Sequence, residues 1–311
     1  MSETEKDDSL IDEYSVRLLD MIKIKATGNP RSYGFEYEFI STTPLTLDHM
    51  GKLYRFLPEN GFFEENEGFK HNSGMYINFE PGGQIEYHST PIYPEDSEKF
   101  SSFLELMVET NTEIAHVLDI LYTGRGYFPG RKDSPLCLTT SRYKNLHNRL
   151  SQISTRGLEM MKGTASIHLH VAVNDINKFV PLFLCMCELS ADDEFCMQPD
   201  RRNVWDNTDP CRCGLPYNGI NEDSNPIDLV REFVRLGFEA ATIDDNIPFK
   251  DTPNKSFEAF KYQMTTIFTD VRLNIKSFTL ELRTLDSMPI ALFERKWLRF
   301  ISLIEEIKNG G

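Results

Sequence analysis

The 311-residue chain has no cluster of lysines or arginines: 33 basic residues stand against 48 acidic ones, a formal net charge of −15. Phosphate contacts need a basic surface, so nucleic acid is excluded as the partner. Long apolar runs are missing too. The longest, Phe179 to Cys187, is too short to span a bilayer, which excludes a membrane partner. The opening Met-Ser-Glu-Thr-Glu-Lys-Asp-Asp is acidic and carries no signal-peptide pattern, so a soluble, cytoplasmic protein is expected. Cysteine is sparse. Cys137, Cys185, Cys187, Cys196, Cys211 and Cys213 do not make the framework of a small secreted scaffold. Two pairs are spaced Cys-x-Cys rather than Cys-x-x-Cys, so free thiols are preferred over a structural zinc. Neither Gly82-Gly83 nor Gly124-Arg-Gly126 sits between a strand and a helix, so neither is a phosphate-binding fingerprint. Internal repeats and low-complexity segments are absent.

What the chain does have is enough apolar residue, 40%, to build a core. It also has strands of a particular kind. In Ser277 to Pro289, Phe278, Leu280 and Leu282 alternate with Thr279, Glu281 and Arg283. A strand there is apolar on one face and carries a carboxylate beside a guanidinium on the other. Tyr33 to Ile40 sets Glu36 and Glu38 against Phe35, Tyr37 and Phe39. Ile77 to His88 breaks at Pro81-Gly-Gly and then aligns Glu86 with His88. Ser166 to Val173 aligns His168 and His170 against Ile167, Leu169 and Val171. A single strand of this type reads as a sheet with one wet face. Four of them predict one sheet lining one site. Gathered carboxylates repel, by roughly 4 kcal/mol per pair at about 4 Å and an effective dielectric near 20. Oxygen-rich sites with an occasional imidazole suit Mg²⁺ or Mn²⁺. A ligand carboxylate on such a polar face, Glu38 or Glu281, is expected to add little to stability.

Helical spacing covers about 9–26, 46–57, 95–122, 141–161, 175–190, 227–239, 255–267 and 290–307, the last ending at Gly310-Gly311. Strands arrive singly or as hairpins between helices, without a βαβ rhythm. The expected class is α+β with a mainly antiparallel sheet, helices packed on the face opposite the site. One domain, 1–311, is expected, with 197–226 as a long loop of functional length.

These segments carry a resemblance. Gly34-Phe-Glu-Tyr-Glu38, Phe79-Glu-Pro-Gly-Gly-Gln-Ile-Glu86 with Ser89-Thr-Pro91, Arg142-Tyr-Lys144 with Gly157-Leu-Glu-Met-Met161, Arg201-Arg-Asn-Val-Trp205 with Thr208-Asp-Pro-Cys-Arg212, and Thr265 to Arg272 with Leu280 to Asp286 occur in this order. The order resembles glutamate–cysteine ligases of the plant and proteobacterial type, among the glutamine-synthetase-like carboxylate–amine ligases. The resemblance implies ATP-dependent amide formation from glutamate and cysteine, or another amine, through an acyl phosphate. It implies Mg²⁺ or Mn²⁺ on Glu36, Glu38, Glu80, Glu86, His168 and Glu281, with Glu281 and Arg283 catalytic. Nucleotide contacts fall to His170 and Arg283; substrate contacts fall to Arg201, Arg212, Trp205 and Arg272. Glu80 could instead only cap its turn, Trp205 only anchor its loop, and His88 and His170 could be structural.

The chain departs from that pattern where His168-Leu-His170 replaces Gln-x-Asn, Gly163-Thr-Ala165 replaces Arg-Thr-Cys, and His88-Ser-Thr-Pro91 replaces Ser-Gly-Ala-Pro. It is also shorter than typical members. The departures bear on the acceptor amine more than on the reaction class. Two other classes use the same face: a metal-dependent hydrolase, which needs an activated water and no nucleotide, and a binding module that has lost the chemistry.

Overall fold

The structure, a computed structural model, describes residues 3–217 and 219–309. Gly310-Gly311, the expected helix stop, lie outside the described residues. The strands are β1 (Tyr33–Ser41), β2 (Phe62–Glu65), β3 (Gly68–His71), β4 (Tyr76–Phe79), β5 (Ile85–His88), β6 (Tyr122–Thr123), β7 (Ser166–Ala172), β8 (Val271–Asn274) and β9 (Thr279–Asp286). They form one sheet in the order β2-β3-β4-β5-β1-β7-β9-β8, with β6 on β1. Every pairing between these strands is antiparallel. The helices are α1 (Glu3–Lys25), α2 (Leu47–Glu59), α3 (Ser97–Leu118), α4 (Ser141–Ile153), α5 (Gly157–Gly163), α6 (Phe179–Ala191), α7 (Pro199–Asp206), α8 (Pro226–Glu239), α9 (Phe257–Met264) and α10 (Ile290–Asn309). The class is α+β with an antiparallel sheet, as the sequence predicts.

The four alternating strands are the middle of the sheet, β5-β1-β7-β9. Directly paired residues share a face, and the register sorts the two faces, with one irregularity between Ile167 and Leu169 where β7 meets β9. Glu36 lies opposite His88 on one side and His168 on the other; Glu38 lies opposite Glu86, and His170 opposite Glu281. On the other face Phe35 packs edge-on against Phe100 and Phe103 of α3 and Phe293 and Trp297 of α10, and Tyr37 against Phe293. Burying one such ring contributes roughly 1.5–3 kcal/mol. Helix α6 packs against β9. The core therefore pins the register, and the register assembles the polar face.

Several expected boundaries move. The helix expected over 141–161 is two, because Ser154 is extended and its Oγ accepts from the amide of Gly157, restarting the chain as α5. The helix expected to reach 122 stops at Leu118, where Asp119 adopts a left-handed conformation with φ of 56°. That release lets Tyr122 and Thr123 pair with β1. Phe278, expected to alternate within the last strand, instead turns the β8–β9 hairpin with φ of 56°, its amide donating to Asn274 O. Within 197–226, expected as loop throughout, Pro199 starts helix α7. Strands β2, β3 and β8 are not expected from the sequence; they are four residues each, too short for alternation to register. The Pro81-Gly-Gly break is a tight turn, Gly83 amide to Glu80 O, that needs the positive φ of Gly83. A Cβ on Gly82 would sit 2.6 Å from Lys162 O, so its glycine serves close packing on α5.

Candidate active site

The polar face lines a cavity of about 970 Å³. Its floor is β1, β5, β7 and β9; Tyr76 and Asn78 of β4 extend it at one end, and the β8–β9 hairpin, Arg272 to Thr279, walls the other. Arg142, Tyr143 and Leu146 of α4, Met160 and Met161 of α5, Trp205 of α7 and Met264, Thr265 and Phe268 at and after the end of α9 make the third wall.

Glu36 is the hub. His168 Nδ1 lies 2.7 Å from its Oε2, while His170 Nε2 and His88 Nδ1 lie 3.4 and 3.5 Å from its Oε1. His88 Nε2 also lies 3.0 Å from Glu86 Oε2. Glu281 is held by two guanidiniums: Arg272 Nε donates to Oε2 at 2.8 Å, and Arg283 donates to Oε1. Asn274 adds a third donor at 3.2 Å. Glu38 accepts the amide of Ser166 at 2.7 Å. Two sets of donor atoms come within 4.8 Å of one another, Glu36/His170/Glu281 and Glu36/Glu86/His168, and they share Glu36. Both contain only Glu and His, while all six cysteines are free thiols.

The electrostatics divide the carboxylates into two kinds. Burial pushes Glu36 up, but the imidazoles of His170, His168 and His88 outweigh it and hold the carboxyl well below its usual range. Burial likewise opposes ionisation of Glu281, and Arg272 and Arg283 overcome it, so its pKa is lowered. Glu38 goes the other way, raised to about 8 by burial first and the charge of Glu86 second. Glu80 is raised well above its usual value by burial, then by Glu86 and Glu38. Repulsion among carboxylates is thus relieved by imidazole and guanidinium around Glu36 and Glu281. Around Glu38 and Glu80 it is relieved instead by raised pKa values, which favour the neutral carboxyl, while Glu86 has the His88 imidazole 3.0 Å away. For the imidazoles, burial lowers His88 but Glu86 and Glu36 raise it well above its ordinary value; His170 is raised by Glu36 against burial. His168 is lowered, by burial and then by Arg283.

Of the residues singled out from the sequence, Glu36, Glu38, Glu80, Glu86, His168, His170, Arg272, Arg283 and Trp205 line the cavity, and Glu281 lies behind Arg272 and Arg283. Arg201 and Arg212 do not line it. Arg201 is 1% exposed and donates to Thr284 O, Arg283 O and Asp286 Oδ1; Arg212 is 0% exposed and is taken up by Asp209 and Ala241 O. Their guanidiniums tie α7 and its following turn to the β9 backbone and to Ala241, in place of the substrate contact expected of them. Glu281 and Arg283 are a buried pair, at 0% and 9% exposure, rather than a wet one. The cavity adds Asn78, Tyr143 and Asn274, which no alternation flags, and Arg142, which donates to Thr265 Oγ1 and O with N–H groups to spare. Trp205 presents a buried indole N–H with no hydrogen-bond partner, its ring under the Arg201 guanidinium at 5.5 Å.

Among the described residues no helix is long and apolar enough to cross a membrane. The sequence model of Glutamate-cysteine ligase family 2 (GCS2) matches residues 33–189. That stretch runs from β1 to α6 and carries Glu36, Glu38, Glu80, Glu86, His88, His168 and His170; Glu281 and Arg283 lie beyond it. The chloroplastic glutamate–cysteine ligase of Solanum lycopersicum is 25% identical over 82% of this chain and 54% of its own length. The chloroplastic enzymes of Nicotiana tabacum and Arabidopsis thaliana are 24% and 25% identical, each over 59% of this chain and 38% of their own length. The chain spans about half the length, or less, of these curated relatives.

Proposed function

The chain belongs to glutamate–cysteine ligase family 2, and on that premise we propose that it is an ATP-dependent carboxylate–amine ligase on a glutamine-synthetase-like catalytic fold. Its substrates are ATP, glutamate as carboxylate donor and cysteine as acceptor amine, the γ-glutamyl bond of glutathione biosynthesis. A carboxylate oxygen of the donor attacks the γ-phosphorus of ATP and ADP leaves; the amine then attacks the acyl carbon and phosphate departs. The compartment proposed is the cytoplasm expected from the sequence.

The observation that carries this reading is the buried Glu281–Arg283 pair set beside the Glu36 imidazoles and the Glu38–Glu86 pair on one cavity wall. There is little covalent chemistry for a protein to do in phosphoryl transfer; positioning and charge neutralisation dominate. The residues fit divalent cations. Burial and the charge of Glu86 hold Glu38 and Glu80 toward the protonated form, a state a cation would reverse; among the described residues no guanidinium is hydrogen-bonded to any of the three, and His170 Nε2 is buried without a hydrogen-bond partner. Glu36, His168, Glu281, Glu38, Glu80 and Glu86 would hold Mg²⁺ or Mn²⁺, which when bound neutralises phosphate oxygens. Arg283, with His170, would face the transferring phosphoryl group, and Glu281 orients Arg283 by accepting its N–H. Arg272 and Trp205 would bind substrate. Arg142 takes over from Arg201 and Arg212 as the candidate for the donor's α-carboxylate, through charge-assisted hydrogen bonds.

ADP release measured with glutamate plus cysteine, then with other amines, tests the reading. ATP-dependent release that needs both a carboxylate and an amine is expected. Turnover without nucleotide, or no release with any pair in Mg²⁺ or Mn²⁺, overturns it.

A further inference from the structure

Three imidazoles converge on Glu36, and each is gripped from behind. Ser166 Oγ lies 2.8 Å from His168 Nε2, Thr279 Oγ1 2.9 Å from His170 Nδ1, and Asn78 Oδ1 2.6 Å from His88 Nε2. All three partners are oxygens able to accept an N–H. With a cation between ring and carboxylate, each ring keeps its proton on the outer nitrogen and offers the lone pair of the inner one to the ion. That outer hydrogen bond is the arrangement by which proteins orient metal-ligating histidines and fix their tautomer.

The sheet register places these rings. Glu36 of β1 faces His88 of β5 and His168 of β7, and His170, two residues along β7, faces Glu281 of β9. The ligand atoms fall into two groups that share Glu36, each with one imidazole, His170 in one and His168 in the other. His88 stands beside the second, against both Glu36 and Glu86. An independent sign that something belongs here is His170 Nε2. It is 3.4 Å from Glu36 Oε1, in a ring more than nine-tenths buried, and it has no hydrogen-bond partner.

Imidazole donors discriminate between ions. Mg²⁺ takes oxygen ligands and keeps its waters, whereas Mn²⁺, Co²⁺ and Zn²⁺ accept nitrogen and bind mixed N/O sites more tightly. Resting on the metal-dependent reading above, we propose that Glu36 joins two adjoining mixed imidazole–carboxylate sites, one with His170 and Glu281 and one with His168 and Glu86, with His88 alongside the second, and that they are selective for borderline first-row transition ions over Mg²⁺. His88 and His170 then set which ion the cleft loads, while the carboxylates set that it loads one.

The test needs no turnover. The full chain, stripped with EDTA, is titrated calorimetrically with MnCl₂ and separately with MgCl₂, and the Mn²⁺ form is examined by pulsed EPR for ¹⁴N coupling. Mn²⁺ is expected to bind at least about tenfold more tightly than Mg²⁺, with nitrogen coupling in the spectrum. His170→Asn should weaken Mn²⁺ by about 10–100-fold and leave Mg²⁺ nearly unchanged, in a variant whose circular dichroism matches the parent. Equal affinities, or Mn²⁺ bound without nitrogen coupling in the unaltered chain, overturn the selectivity and leave the metal-dependent ligase reading standing. Failure of both ions to bind, with and without ATP, overturns both.

Discussion

Arg272 and Arg283 hold opposite oxygens of one carboxylate, Arg272 on Oε2 of Glu281 and Arg283 on Oε1. The two guanidiniums come from neighbouring strands, β8 and β9, and the carboxylate between them is fully buried. The charge of Glu281 is therefore balanced by its own neighbours in the fold.

Glu281→Gln should unfold more easily than the parent. The wet polar face expected from the sequence would make Glu281 nearly neutral for stability, but its substitution leaves two largely buried guanidiniums without an anion. Breaking a buried pair in this way costs about 3–5 kcal/mol. Urea denaturation of the metal-free protein measures it; a midpoint within error of the parent would contradict the burial.

Arg283→Ala and Arg283→Lys should both bind ATP and donor yet stall before the acyl phosphate. An interaction stronger in the transition state than in the ground state lowers kcat far more than it raises KM. Loss of one such donor is worth about 10²–10³ in kcat. Lysine rescues partly, because it keeps the charge but loses the planar fork. Turnover of Arg283→Ala within a few-fold of the parent would remove Arg283 from the phosphoryl-transfer step.

Stability of the metal-free protein should fall as pH rises. Glu38 titrates at about 8 in the fold against 4.5 when free, raised by burial and then by Glu86. Between those values the folded chain holds a proton that the unfolded chain has released. The contribution of Glu38 is thus fully present below the unfolded value and is lost as pH climbs through the folded one. Glu38→Gln should flatten that part of the slope, and a divalent cation should flatten it in the parent. Melting temperatures across about pH 5–9 read both effects; parallel curves for parent and variant would mean Glu38 ionises normally.

Arg201→Ala should behave as a folding mutant. Its guanidinium bonds Thr284 O, Arg283 O and Asp286 Oδ1 inside the protein, and removal strands them, at about 3–5 kcal/mol for the buried pair. Arg142→Ala should keep its melting temperature and raise KM for the donor. If Arg201→Ala folds normally and raises only KM, the guanidinium reaches substrate after all.

The face that carries Glu36, Glu38, Glu86, His168, His170, Glu281 and Arg283 was legible in the chain by itself. Side chains alternate in a strand for reasons local to each residue, so period two reveals which residues point together without knowing what they meet. Which of them meet was decided by pairing. Glu36 lies between His88 and His168 because β1 lies between β5 and β7, a matter of register between segments more than forty residues apart. The arginines mark the limit most clearly. Arg142, Arg201, Arg212 and Arg272 look alike as letters; two face the cavity and two are absorbed by carbonyls and carboxylates of their own wall. A guanidinium has the same donors either way, and only the tertiary structure decides whether backbone or ligand receives them.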